Sequence, residues 1–165
     1  MLNKSHAILA RISSVAIAAA ALFACIEGQH PFVMVQLCLG DAENLALFRS
    51  EMAAAAHAEG MSFDDDGEAT KRDLAIIDEK ELAHDRAGPT IQMRMRAEDG
   101  LGATASNLGL RGYQVAIGFG EGRREPNAAR AFSSRVIARL ARHWQVTTLP
   151  AGSGAQPLPN CTSRS

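Results

Sequence analysis

Phe32 to Leu39 reads FVMVQLCL, seven apolar residues around a single glutamine, bounded by Pro31 and Gly40. A short, valine-containing apolar run between turn formers predicts a β-strand buried on both faces. Val33, Val35, Leu37 and Leu39 would point one way, and Phe32, Met34, Gln36 and Cys38 the other. Immediately after it, Asp41 is a good helix N-cap and Gly60 a good C′ residue. Between them Leu45, Phe48 and Met52 form one apolar stripe, and Ala53 to Ala56 add helix propensity.

Further along, residues 61–87 are polar and acidic, with a short helix expected over Glu68 to Ile77. Gly88-Pro89 punctuates the chain. Thr90 to Arg96 alternates with period two, Ile91, Met93 and Met95 inward and Gln92, Arg94 and Arg96 outward, as in a strand covered on one face. Glu98-Asp99-Gly100 is a turn, and Leu101 to Gly112 reads as a loop or weak strand. Tyr113 to Phe119 alternates again. Pro126 suits a first helical position. Ala129, Phe132, Val136, Ile137, Leu140 and Trp144 then mark the core stripe of a helix ending near His143. Gln145 to Leu149 is a short final strand. The order strand, helix, strand, strand, helix, strand predicts an α+β domain over residues 32–149. It is the ferredoxin-like βαββαβ sandwich, an antiparallel sheet with two main helices on one face. That fold hosts many unrelated functions.

The whole chain has 165 residues, 47% hydrophobic and 21% charged, with a net charge of -1. This is one domain's worth of chain, too apolar for a disordered protein and not basic enough overall for a dedicated nucleic-acid binder. Three cysteines are too few for a disulfide-dense mini-protein.

The N-terminus reads as an address. Lys4 and Arg11 precede an apolar run from Ile12 to Ala24, about 13 residues against the ~20 needed to span a bilayer. Residues 1–24 therefore read as a signal peptide, and residues 25–31 as a tether. Leu22-Phe23-Ala24-Cys25 resembles the lipobox of bacterial lipoprotein precursors, matching at Leu22, Ala24 and Cys25 and departing at Phe23. The resemblance implies cleavage before Cys25, lipidation of Cys25 and a membrane anchor through the N-terminal lipid. In a Gram-negative source, Ile26 at the following position implies the periplasmic side of the outer membrane. Cleavage without lipidation, with Leu22 and Ala24 as the -3 and -1 residues, is the rival.

Loss of residues 1–24 leaves 141 residues with 15 basic and 18 acidic side chains, a balance of -3. Up to Asp99 there are 16 acids and 7 bases, or -9; from Gly100 onward there are 2 acids and 8 bases, or +6. Such asymmetry suits either an anionic partner for the basic half or mutual packing of the two halves.

If Cys25 carries lipid, Cys38 and Cys161 remain as an even pair in an oxidising compartment, a candidate disulfide that would tie down the Gly/Pro/Ser-rich tail, residues 150–165. A buried free Cys38 with an exposed Cys161 is the alternative. Arg123, Arg124, Arg130, Arg135, Arg139 and Arg142 form a candidate anion- or partner-binding set on the last helix and the glycine-rich loop before it. Pairing with the acidic first half is the plainer reading of that face. Ser62 to Asp73 is a degenerate calcium-loop match, with Asp64, Asp66 and Asp73 at ligand positions but Ser62 at the first. An acidic surface turn is the plainer reading there.

No catalytic motif and no metal-spaced histidine cluster stands out, and no cofactor is expected. The sequence thus suggests a small exported envelope protein with a non-catalytic binding or assembly role. A partner protein in the envelope is expected and nucleic acid is not. A secreted small-ligand or anion-binding domain is the runner-up, and an enzyme comes third.

Overall fold

Val33–Cys38 forms strand β1, which lies next to one edge of the sheet. In the computed structural model the described residues are 31–77, 89–107, 110, 112–150, 153–156, 158 and 161. The expected signal, Cys25 and the tether before Pro31 lie outside them. The elements that follow β1 are α1 (Ala42–Ala58), β2 (Ser62–Asp65), α2 (Gly67–Ile77), β3 (Gln92–Arg96), β4 (Gly102–Ser106), β5 (Gln114–Gly120), α3 (Pro126–Leu140) and β6 (Thr147–Thr148). The six strands make one sheet in the order β2-β3-β4-β5-β1-β6, and every neighbouring pair is antiparallel.

The α+β class holds, but the four-stranded sheet does not. The four expected strands keep their sequence along the sheet as β3, β5, β1 and β6, yet β4 stands between β3 and β5, and β2 caps the far edge. β4 is made of Gly, Ala, Thr, Ala and Ser, too small to register as a strand by composition. Its extended form comes from pairing on both sides, a case of context deciding β structure. β2 is four residues long and carries Asp64 and Asp65, the charged character of an edge strand, so no apolar alternation announces it.

Period two governs the inner face. Met95, Ala103 and Phe119 lie in one cross-strand row, and Met93, Ala105, Ile117 and Val35 in the next. Large and small side chains thus alternate across the sheet, and all seven belong to the buried core. The same cluster includes Leu45, Phe48, Met52, Ala55 and Ala56 of α1 with Ala129, Phe132, Val136 and Leu140 of α3. The two helices therefore close this face. Phe132 meets Phe119 edge-on with ring centroids 5.9 Å apart, and Trp144, just past α3, meets Phe48 at 5.7 Å.

Helix ends follow their local chemistry. The Asp41 side chain accepts the Asn44 amide at 2.8 Å to start α1. Pro126 occupies the first turn of α3, which stops at Leu140, slightly before the expected His143.

Candidate functional site

The arginine face of α3 meets the acidic face of α1. Arg135 grips Glu59 with two hydrogen bonds, Nε to Oε1 at 2.7 Å and a terminal nitrogen to Oε2 at 2.8 Å. Arg139 donates to Glu51, and His143 lies 3.5 Å from the other oxygen of that carboxylate. Glu59 is the C-cap of α1, where the helix dipole disfavours an anion, so its bidentate partner offsets an unfavourable position. The Arg135 hydrogen bond holds the Glu59 carboxyl below its ordinary 4.5, helped by the charges of Arg135 and Arg124. Glu59 in turn raises Arg135. The Arg139 hydrogen bond likewise lowers Glu51, aided by the charges of Arg139, His143 and Arg142.

Between the two helices runs an open groove of about 450 Å³, lined by Ala55, Ala58, Val136 and Ala138 together with Glu59, Arg135, Arg139 and Arg142. Arg142 also lines the groove, and its Nε donates to the Arg139 carbonyl at 3.3 Å. Among the described residues it faces no carboxylate within salt-bridge distance.

The rest of the arginine set is dispersed. Arg130 bonds Asn127 within its own helix. Arg124 donates to Asp99, whose other oxygen accepts the Leu101 amide at 3.1 Å, while the Arg123 amide donates to the Asp99 carbonyl at 3.0 Å. The glycine-rich loop thus already holds an anion, the chain's own Asp99, which Arg124 keeps below its ordinary carboxylate range. Gly122, at φ +60°, lets this loop press on the turn at Asp99 and Gly100, because any side chain there would collide with the backbone of Gly100 and Leu101.

The calcium-loop candidates take other duties. Ser62 to Asp65 is extended in β2, with Asp64 paired in register with Arg94. Asp65 binds Arg49 at 2.8 Å, and Asp66 binds Arg94 at 2.9 Å. Asp73 is exposed on α2. Among the described residues no three His, Cys, Asp or Glu side chains group as metal ligands.

Cys38 and Cys161 are bonded, with Cα atoms 5.5 Å apart and a separation of 123 positions in sequence. The bridge brings the tail onto the outer face of the sheet. There the two glutamines of β1 and β5 read its main chain. Gln36 Oε1 accepts the Gln156 amide at 3.1 Å, Gln114 Oε1 accepts the Leu158 amide at 2.9 Å, and Gln114 Nε2 donates to the Gln156 carbonyl. Gln36 and Gln114 are 4% and 2% exposed, buried polar groups satisfied by the tail. Three hydrogen bonds at about 1 kcal/mol each do not order a segment that loses about 1–2 kcal/mol per residue in backbone entropy, so the covalent link keeps the tail seated.

No motif in the sequence marks either glutamine as functional. The available signal was Gln36 itself, one amide inside FVMVQLCL. Asn107 was likewise missed: its Oδ1 accepts the Ile91 amide at 2.8 Å, and its Nδ2 donates to Pro89 and Gly112 carbonyls at 2.7 and 3.1 Å.

No protein-family model matches this chain, and no curated protein is significantly similar to it. No helix among the described residues is long and apolar enough to cross a membrane.

Proposed function

We propose that this is an exported protein, anchored by a lipid on Cys25 to the periplasmic side of the cell envelope, whose domain binds an acidic surface of an envelope partner through the α1–α3 groove. The observation that carries the binding role is the groove, lined by three alanines and a valine with three arginines and one glutamate. Among the described residues, Arg135 and Arg139 are matched by carboxylates, Glu59 and Glu51, and Arg142 is not. An open apolar strip edged with cations suits a protein surface, whereas small ligands favour enclosed cavities. The lipobox-like Leu22 to Cys25 supports the anchor, and the Cys38–Cys161 bridge fits an oxidising compartment. We also read the sheet as a split βαβ unit enlarged by β2 and β4, since β5 and β6 flank β1 with α3 between them in sequence.

Two measurements test this reading. Cys25→Ser is expected to move the protein from the membrane fraction to the soluble fraction, and unchanged fractionation contradicts the anchor. Arg142→Glu is expected to abolish crosslinking between a photoreactive residue at position 138 and one defined envelope protein. Arg96→Glu, on the opposite side of the sheet, is expected to leave it intact. Equal crosslinking in both variants contradicts the groove as the contact.

A further inference from the structure

We infer that the outer face of β1 and β5 is a docking surface for the tail of a second copy of this chain, exchanged in trans when the Cys38–Cys161 bridge opens. The one segment shown to fit this surface is the chain's own tail. It is read through main-chain groups of Gln156 and Leu158 and through the Cys161 sulfur, not through a particular side-chain shape. A second copy presents those same groups. Among the described residues, those after Pro150 add nothing to the inner hydrophobic cluster, which ends in sequence with Trp144 and with Val146 packed against it. Its release therefore leaves the inner face closed and turns two buried amides toward water.

The tail has slack as well. From Leu149, bonded to Met34, it must run along β1 to Cys38, about 13 Å, and cross to β5, about 10 Å at the usual strand spacing. Eleven residues from Pro150 to Asn160 can span about 36 Å.

Opening requires a dithiol reductant. Its thiolate attacks the Cys38 sulfur, Cys161 leaves as a thiolate, and the second thiol of the reductant resolves the mixed disulfide. The reductant departs as its own disulfide, and two electrons and two protons pass to the protein. Closing in trans reverses the electron flow. Glutathione disulfide takes the two electrons and leaves as two glutathione thiols, while Cys161 of one copy joins Cys38 of the other. Under ordinary conditions the cis bridge prevails because the tethered tail has the higher effective concentration.

The test removes the cis option. Full-length chains carrying Cys25→Ser are made as Cys38→Ser, which can only donate a tail thiol, and as Cys161→Ser, which can only accept one. The two are distinguished by mass, mixed, and oxidised with glutathione disulfide. The expected product is a covalent heterodimer. Its rate of formation should fall about tenfold when the acceptor also carries Gln36→Ala and Gln114→Ala, since those amides hold the incoming tail. Monomers capped with glutathione overturn the inference, as does a heterodimer forming equally fast without the glutamines. As a second measurement, Cys25→Ser protein with the native pair intact is reduced with dithiothreitol and reoxidised at increasing concentration. A rising fraction of disulfide-linked dimer, with unchanged far-ultraviolet circular dichroism, is expected. Monomer alone at every concentration contradicts it.

Discussion

The two faces of the sheet are closed by different physics. The inner face is apolar, and α1 and α3 cover it with fully buried side chains such as Phe48, Phe132 and Ile117. The outer face is polar, with Arg94, Arg96 and Thr104 exposed, and the tail covers it along β1 and β5 through two glutamines and one disulfide. The first kind of closure is non-directional and redundant, since many side chains share it. The second depends on a few oriented groups and one covalent bond.

Perturbations of the inner face should be the costliest. Phe132→Ala removes the ring that meets Phe119 and leaves a cavity between α3 and the sheet. A loss of about 3–5 kcal/mol is expected in urea denaturation. Replacing Cys38 and Cys161 by serine should cost about 2–4 kcal/mol. It should also render the tail sensitive to protease while the sheet and helices keep their circular dichroism. Gln114→Ala leaves the Leu158 amide and the Gln156 carbonyl without their partner, for an expected loss of about 1–2 kcal/mol.

Much of this contrast was legible in the sequence, and the division follows the physics. Alternation in Ile91, Met93 and Met95 and the stripe Phe132, Val136 and Leu140 identified the inner face, because burial against one neighbour imposes a period. β2 and β4 gave no such signal. Asp64 and Asp65 sit on an edge, and Gly102 to Ser106 has too little side chain to declare a face. The disulfide could be proposed from cysteine arithmetic. The docking of the tail on Gln36 and Gln114 could not, because main-chain recognition leaves no pattern in the recognised segment. The arginine face was visible as a cluster, but its division into paired and open members depends on where α1 brings Glu51 and Glu59.

The helix pair itself should show the smallest effect. Glu59→Gln is expected to cost about 0.5–1 kcal/mol at neutral pH. Arg135 lowers the folded-state value of this carboxyl below the 4.5 of the unfolded chain. Its contribution is therefore complete above that ordinary value and is lost as the pH falls through the depressed one. The stability difference between wild type and Glu59→Gln should accordingly shrink on acidification. A difference that grows toward acid pH would contradict the pairing.

Amide hydrogen exchange across reduction tests the two-closure account most directly. Upon addition of a dithiol reductant, the amides of Gln156 and Leu158 should lose protection. Those of β4, β5 and α3 should keep theirs, because the inner cluster they line takes in no described residue of the tail. Protection lost throughout the domain, or unchanged protection at Gln156 and Leu158, would contradict the claim that the disulfide holds the outer covering and that the inner face stands without it.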